Sequence, residues 1–167
     1  MVDPGRALVT TLRVEGARVT ATVRNESLRA AVGELGATAI DPEGFSDHGP
    51  FDVVLELVGA PNLGENLKAL AVGGRIVVIG VGGGFKAELN LLAVMGKRAT
   101  VRGSTLRARP LEEKAAAMRV VEREVLPLFE SGAIDVPVAE TFPLNEAEAA
   151  YDRFTEGGKL GKIVLTV

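Results

Sequence analysis

The chain has 167 residues, enough for a domain with a sizeable core, and its 47% hydrophobic and 25% charged content is typical of a soluble globular protein. A formal net charge of −3 gives no electrostatic reason to expect nucleic acid or an anionic membrane as a partner. No apolar run approaches the roughly 20 residues of a membrane span, and the N-terminus lacks a signal-peptide pattern, so we expect a cytoplasmic protein. Cysteine is absent and His48 is the single histidine, so we expect no disulfide and no zinc site.

The first part of the chain predicts short alternating elements. Arg6–Val14 fits either a helix, through the spacing of its leucines, or a strand, through its Val and Thr content. The pattern then predicts a strand over Ala17–Val23, a helix over Glu26–Glu34 that Asn25 caps, a strand over Thr38–Asp41 and a loop over Pro42–Pro50.

The segment Phe51–Gly84 carries the strongest pattern. Two nearly unbroken apolar runs, FDVVLELVGA and RIVVIGVGGG, are typical of parallel strands buried on both faces. Between them Asn62 can begin a helix and Gly73-Gly74 can end it, which gives a βαβ unit. Ligands of open parallel sheets bind beyond the carboxyl ends of the strands. We therefore expect the functional surface at Val58–Pro61 and Gly80–Gly84.

The remaining segments continue the alternation of helix and strand, which is typical of a doubly wound α/β sheet. They predict a helix over Leu89–Gly96 and a strand over Ala99–Leu106. A further helix follows Pro110 and is kinked or restarted at Pro127. A capping box at Asn145 opens the last helix, and a closing strand covers Lys162–Val167. The helix after Pro110 carries an apolar stripe from Leu111 to Phe129.

Several residues invite a chemical interpretation. Gly80–Gly84 is not a dinucleotide fingerprint, because Phe85 stands where the last glycine of G-x-G-x-x-G belongs. We interpret it as a flexible strand-end loop that lets backbone approach a flat ligand. Arg24, Asn25 and Arg29 follow a strand end where a dinucleotide fold meets the adenosine ribose, and arginine there accommodates a 2′-phosphate, although a solvated helix start explains them equally well. His48 fits an exposed loop, Tyr151 fits helix packing, and no residue can be named as catalytic.

The stretches GARVTATVRN, FDVVLELVGA, GGRIVVIGVGGG, GSTLRARPLEEK and GGKLGKIVL resemble the C-terminal half of a medium-chain dehydrogenase/reductase, the superfamily of zinc-type alcohol dehydrogenases and NADPH quinone oxidoreductases. The resemblance runs from about Gly16 to Val167. GSTLRARPLEEK is the most specific stretch, and it resembles the quinone oxidoreductase branch.

The resemblance implies a Rossmann-type domain that binds NADPH. It places Arg24, Asn25 and Arg29 at the adenosine phosphate, Val58 and Gly59 beside the ribose and pyrophosphate, and Gly80, Val81 and Gly82 near the nicotinamide. It also implies a homodimer paired through the edge strand Ala99–Leu106.

Two parts of the family pattern are missing from this sequence, namely the N-terminal catalytic domain and the first Rossmann strand with its glycine turn. We therefore expect an incomplete cofactor-binding domain over residues 1–135 and, over residues 136–167, a tail that in the family returns to the catalytic domain. Such a chain would bind NADPH weakly or not at all and would not turn over by itself. The alternative is a non-catalytic dimerisation or interaction module derived from such an enzyme, in which the edge strand and the closing strand offer pairing surfaces.

Overall fold

The fold is known from a computed structural model, which describes residues 16–167. Its strands are β1 (Thr20–Thr22), β2 (Thr38–Ile40), β3 (Phe51–Glu56), β4 (Leu70–Val78), β5 (Thr100–Gly103), β6 (Val138–Pro143) and β7 (Lys162–Thr166). Its α-helices are α1 (Arg29–Glu34), α2 (Leu63–Ala69), α3 (Leu91–Lys97), α4 (Leu111–Val120), α5 (Leu126–Glu130) and α6 (Ala147–Glu156). The segment Arg6–Val14 lies outside the described residues.

Every strand pair is parallel, which confirms the predicted α/β class. The strands form three sheets, with the orders β1-β2, β3-β4-β5 and β6-β7. The chain divides into two compact units, one formed by residues 16–42 and Ala116–Val167, the other by Glu43–Ala115. The domain boundary expected at residue 135 stays a prediction.

The unit Glu43–Ala115 contains the predicted βαβ motif and extends it by one strand. Leu70 and Ile76 of β4 are fully buried together with Leu67 of α2, and the half-buried apolar side chains around them come from β3, α3 and the start of β5. The expected burial of both faces of these strands was wrong: α2 and α3 both pack into the cluster around Leu70 and Ile76, whereas Val53 is 42% and Ile79 47% exposed.

The central helix begins directly after Asn62, as predicted, but it lacks a side-chain cap and ends earlier than predicted. Asn62 does not cap α2 through its side chain, because its own backbone is already helical (φ −92°, ψ −13°). The helix ends at Ala69 rather than at Gly73-Gly74, since the buried Leu70 is extended and pairs with Phe51. Gly73 and Gly74 instead lie in β4, where the register of pairing with β3 shifts.

The other unit contains two separate parallel pairs. In the first pair, Val32 of α1 packs with Ala37 against side chains of β1 and β2. Asn25 caps the 3₁₀ turn before α1, as predicted, because its side chain accepts from the Ser27 amide. In the second pair, β7 lies beside β6, a strand that the sequence analysis missed, so the closing strand is paired within the chain.

Two further predictions were wrong. Asn145 forms no capping box, because α6 begins after a 3₁₀ turn over Leu144–Glu146 without a side-chain cap. Tyr151 is 69% exposed rather than packed. The apolar stripe of α4 and α5 is exposed at both ends, at Leu111 and at Phe129. The restart before Pro127 is confirmed: a π-helical turn over Val121–Val125 separates α4 from α5.

Candidate functional site

An open cavity lies at the carboxyl ends of β4 and β5. The register places Val78 beside Gly103, and the Ser104 amide continues the ladder by donating to the Val78 carbonyl at 3.0 Å. The two strands therefore end at the same level, and the loops that follow them leave a cavity of about 710 Å³. Its lining residues are Val78, Ile79, Gly80, Val81, Gly103, Ser104, Thr105 and Leu106. Of the residues expected near a nicotinamide, Gly80 and Val81 line the cavity, and Gly82 follows them as an exposed residue.

The glycines of these loops allow the loops after β3 and β4 to pack backbone to backbone. Gly59 forms an isolated bridge with Gly84, and a Cβ on Gly59 would lie 2.4 Å from the Gly84 carbonyl oxygen. A Cβ on Gly80 would lie 2.4 Å from the Leu57 carbonyl oxygen. From the sequence, Gly80–Gly84 were expected to let the backbone approach a flat ligand. In the structure, the space beside Gly59 and Gly80 is filled by the chain's own backbone.

Glu56, the last residue of β3, organises the loop that follows it. Its side chain is buried, and its carboxylate accepts hydrogen bonds from the amides of Val58, at 2.5 Å, and Gly59, at 2.7 Å. The buried side-chain amide of Asn66 in α2 donates to the other carboxylate oxygen. The backbone carbonyl of Glu56 in turn accepts from Ile79 and Gly80, so one residue connects β3, α2 and the start of the cavity wall.

The amide groups of the loop between β3 and α2 are already used within the protein. The Val58 and Gly59 amides donate to Glu56, the Ala60 amide donates to Gly84 at 2.9 Å, and the Asn62 amide donates to Gly59 at 3.1 Å. Position 61 is proline and has no N–H. This loop therefore lies where the sequence predicted a cofactor loop, but its amide groups are directed at the chain and not at a phosphate.

The loop after β5 is held by Arg109. Its Nη2 donates to Ser104 Oγ at 2.8 Å, and its Nε donates to the Thr105 carbonyl at 3.1 Å. The Arg109 amide also donates to the Leu106 carbonyl at 3.2 Å, which closes the turn. Arg109 is half-buried, and the residues that it contacts all line the cavity: Ser104 and Thr105 through its side chain, Leu106 through its amide.

Arg24, Asn25 and Arg29 lie in the other unit, at the end of β1 and the start of α1. Arg29 is committed within the protein: its Nε donates to the Val23 carbonyl at 3.1 Å, and its guanidinium forms an ion pair with Asp41. Asn25 accepts from both the amide and the hydroxyl of Ser27. Arg24 is exposed at the same corner. The assignment of these residues to the adenosine phosphate stays a prediction.

The described residues provide no donor set for zinc. Over residues 16–167, no three His, Cys, Asp or Glu side chains are grouped so that they could hold a metal ion. His48 lies exposed in a 3₁₀ turn. The same part of the chain contains no helix that is long and apolar enough to cross a bilayer.

Two groups of site residues were not assigned to a site from the sequence. One is Glu56, which holds the loop after β3, and the other comprises the cavity residues Val78, Ile79, Gly103, Ser104, Thr105 and Leu106. Glu56 could have been found, because it is the one ionisable residue inside the apolar run VVLELV, and a charge there needs partners. The residues 104–106 were treated only as part of a dimer strand. The strand ends at Gly103, which leaves them in the loop.

The chain is similar to proteins of one enzyme family. The sequence profile described as zinc-binding dehydrogenase matches residues 35–165. A quinone oxidoreductase from Rattus norvegicus is 30% identical over 115 residues, which is 68% of this chain and 33% of that protein. An acryloyl-coenzyme A reductase from Metallosphaera sedula is 30% identical over 154 residues, 90% of this chain and 44% of that protein.

The fold is similar to that of a solved quinone oxidoreductase from Thermus thermophilus, a protein whose structure is also described in complex with NADPH. The TM-score is 0.80 at 29% identity, over 96% of this chain and 53% of that one. The chain thus spans between about a third and a half of the length of the relatives that it matches. Because the family profile matches most of its residues, the chain belongs to the zinc-binding dehydrogenase family.

Proposed function

We propose that this chain is the cofactor-binding portion of an NADPH-dependent oxidoreductase, and that the cavity between the ends of β4 and β5 receives the nicotinamide ring. The position of the cavity carries the proposal, because ligands of parallel α/β sheets bind beyond the carboxyl ends of the strands. Val81 and Leu106 supply apolar surface for a flat ring. The backbone and the Ser104 and Thr105 hydroxyls supply the few polar groups that would fix its orientation.

The adenosine end is proposed to meet the corner at Arg24. An arginine after this strand suits a 2′-phosphate and therefore NADPH over NADH. Arg24 is the better candidate of the two arginines, since the guanidinium of Arg29 is paired with Asp41. Asn25 and Arg29 would then hold the backbone turn in which Arg24 lies. Val58 and Gly59 would support the ribose side by position, because their amides are bound to Glu56.

The proposed reaction of the intact enzyme is hydride transfer between nicotinamide C4 and the conjugated carbonyl system of a quinone or enone, or the carbonyl of an alcohol dehydrogenase substrate. The cofactor supplies that chemistry, and the role of this chain is to bind and orient it. The relatives include quinone oxidoreductases and an acryloyl-coenzyme A reductase, which supports a conjugated acceptor. Residues that bind the acceptor are expected in a part of the enzyme that this chain does not span.

The test is a fluorescence titration of the purified chain with NADPH, with NADH and an Arg24→Ala variant as comparisons. We expect saturable but weak binding that is tighter for NADPH than for NADH. In the Arg24→Ala variant, the ratio of the dissociation constants of NADH and NADPH should fall towards one. An Arg18→Ala variant, in which another exposed arginine of the same unit is removed, should retain the preference. Absence of any NADPH binding, or equal binding of the two cofactors by the unchanged chain, would overturn the proposal.

A second candidate function is an assembly module that pairs through β5. This strand is an edge of its sheet, in which the order is β3-β4-β5. The neighbouring helix α3 exposes Leu91, Leu92 and Met95, each at 67% or more. An exposed edge beside an apolar helix face is a pairing surface. Sedimentation equilibrium should show a homodimer, and a strictly monomeric chain at high concentration would reject this function.

A further inference from the structure

The most specific sequence stretch, GSTLRARP, contains two arginines that differ in what they contact. Arg109 is half-buried and holds Ser104 and Thr105 through two different nitrogens of its guanidinium. Arg107, two residues earlier, is exposed. The fork geometry of a guanidinium lets one side chain fix two acceptors at once, which an ammonium group cannot do in the same way.

The bond from Arg109 determines what the Ser104 hydroxyl can offer to the cavity. A serine hydroxyl has one proton to donate and two lone pairs that accept. One lone pair of Ser104 Oγ accepts from Arg109 Nη2 at 2.8 Å, so the hydroxyl proton must point away from that nitrogen. A positively charged donor also makes the hydroxyl a better donor, through the cooperativity of hydrogen-bond chains. Ser104 is therefore set to donate to an oxygen acceptor in the cavity that it lines.

We propose that Ser104 donates a hydrogen bond to the carboxamide oxygen of the nicotinamide, and that Arg109 is the positioning residue that presents this hydroxyl. The inference rests on the proposed function, because it needs the ring in the cavity between β4 and β5. The carboxamide is the one polar substituent of the ring. Among the few polar groups of the cavity, a hydroxyl that Arg109 holds in one direction fixes which way the ring lies and therefore which face it presents to an acceptor.

The experiment compares NADPH with its thionicotinamide analogue, in which sulfur, a weak hydrogen-bond acceptor, replaces the carboxamide oxygen. Calorimetric titrations would use the unchanged chain, Ser104→Ala, Arg109→Ala, Arg109→Lys and, as matched control, Arg107→Ala. Loss of one hydrogen bond should weaken NADPH binding by about fivefold in Ser104→Ala and Arg109→Ala, with little effect on the analogue. The ratio of the dissociation constant of the thionicotinamide analogue to that of NADPH should therefore fall towards one in these two variants.

Three further results are expected if Arg109 acts through Ser104. The double variant should bind NADPH no more weakly than Ser104→Ala alone, since the two residues form one unit. Arg109→Lys should behave like Arg109→Ala, because lysine keeps the charge and loses the fork. Arg107→Ala should retain both affinity and preference. Amide exchange over residues 104–109 should become faster in Arg109→Ala without any ligand.

The possible failures are distinguishable. If the unchanged chain binds NADPH but Arg109→Ala keeps its preference for oxygen, this inference is overturned and the proposed function stands. Equal losses in Arg107→Ala and Arg109→Ala would show a general charge effect and would also overturn it. Unchanged amide exchange in Arg109→Ala would remove the positioning role. A chain that binds neither cofactor form would overturn the proposed function and this inference together.

Discussion

The buried side-chain amide of Asn66 donates a hydrogen bond to the buried carboxylate of Glu56. The pair links the middle of α2 to the last residue of β3, just before the loop that borders the cavity. A carboxylate removed from water is tolerated only where donors surround it, and here the donors are Asn66 and the amides of Val58 and Gly59. The shape of this loop therefore depends on one polar network.

We predict that Asn66→Ala destabilises the chain by about 2 kcal/mol or more, because it leaves a buried carboxylate short of a donor. Asn62→Ala in the same segment is the matched control. Asn62 makes no side-chain cap, so its replacement should change the free energy of unfolding by less than about 0.5 kcal/mol. Urea unfolding measures both values. Equal effects of the two substitutions would show that the network does not support the fold.

A second prediction concerns the close approach of the two loops. Gly59 has a φ of +103°, and a Cβ there would lie 2.4 Å from the Gly84 carbonyl oxygen. Gly59→Ala therefore combines backbone strain of about 1–3 kcal/mol with a clash that must move one loop. We expect a lower midpoint in thermal unfolding.

The control for Gly59 is Gly64→Ala, at the start of α2. Nothing lies within 4 Å of a Cβ at Gly64, and α2 would gain the helix preference of alanine, about 0.5–1 kcal/mol. We therefore expect Gly59→Ala to lower the thermal unfolding midpoint and Gly64→Ala to raise it. A Gly59→Ala variant that is as stable as Gly64→Ala would contradict the packing of the loops.

The sequence allowed the parallel βαβ unit to be predicted because its two strands leave a local mark, the continuous apolar runs of β3 and β4. It also located the loops at Val58 and Gly80, since strand ends follow from strand positions. Asn62 was correctly placed before α2, but its side chain does not cap the helix, because the Asn62 backbone is itself helical and a cap residue is normally extended. The charge of Glu56 inside an apolar run was a signal that it needs partners, but its partner Asn66 could not be identified, because a contact with the neighbouring helix exists only in the folded chain.

A pH-dependent contribution is predicted at Ser46, a buried residue whose hydroxyl donates to the carboxylate of Glu65. This hydrogen bond, with the nearby charge of Lys68, lowers the pKa of Glu65 below its ordinary value of 4.5. A carboxyl with a lowered folded pKa stabilises the protein above its unfolded pKa, and this contribution is lost as the pH falls through the folded value.

The variant that tests this contribution is Ser46→Ala. The unchanged chain should be more stable than Ser46→Ala at pH 7, and the difference should shrink progressively below about pH 4.5. Thermal unfolding midpoints measured between neutral and acid pH would check it. When Glu65→Gln is added to the unchanged chain and to Ser46→Ala, the stability difference between the two should no longer depend on pH. A difference that stays constant with pH would assign the effect of Ser46 to packing alone.

The last prediction concerns the proposed pairing through β5. Between Leu91 and Pro110 every charged residue is a cation: Lys97, Arg98, Arg102, Arg107 and Arg109. Two copies joined by this edge would bring like charges together, while the apolar side chains of α3 favour association.

Salt screens the repulsion, since the Debye length falls from about 10 Å at 0.1 M to about 3 Å at 1 M. We therefore expect the dimer dissociation constant to decrease as sodium chloride is raised, and Arg102→Glu, on the edge strand itself, to reduce that salt dependence. Sedimentation equilibrium at several salt concentrations measures both effects, and a dimer that salt weakens would place the interface on another surface.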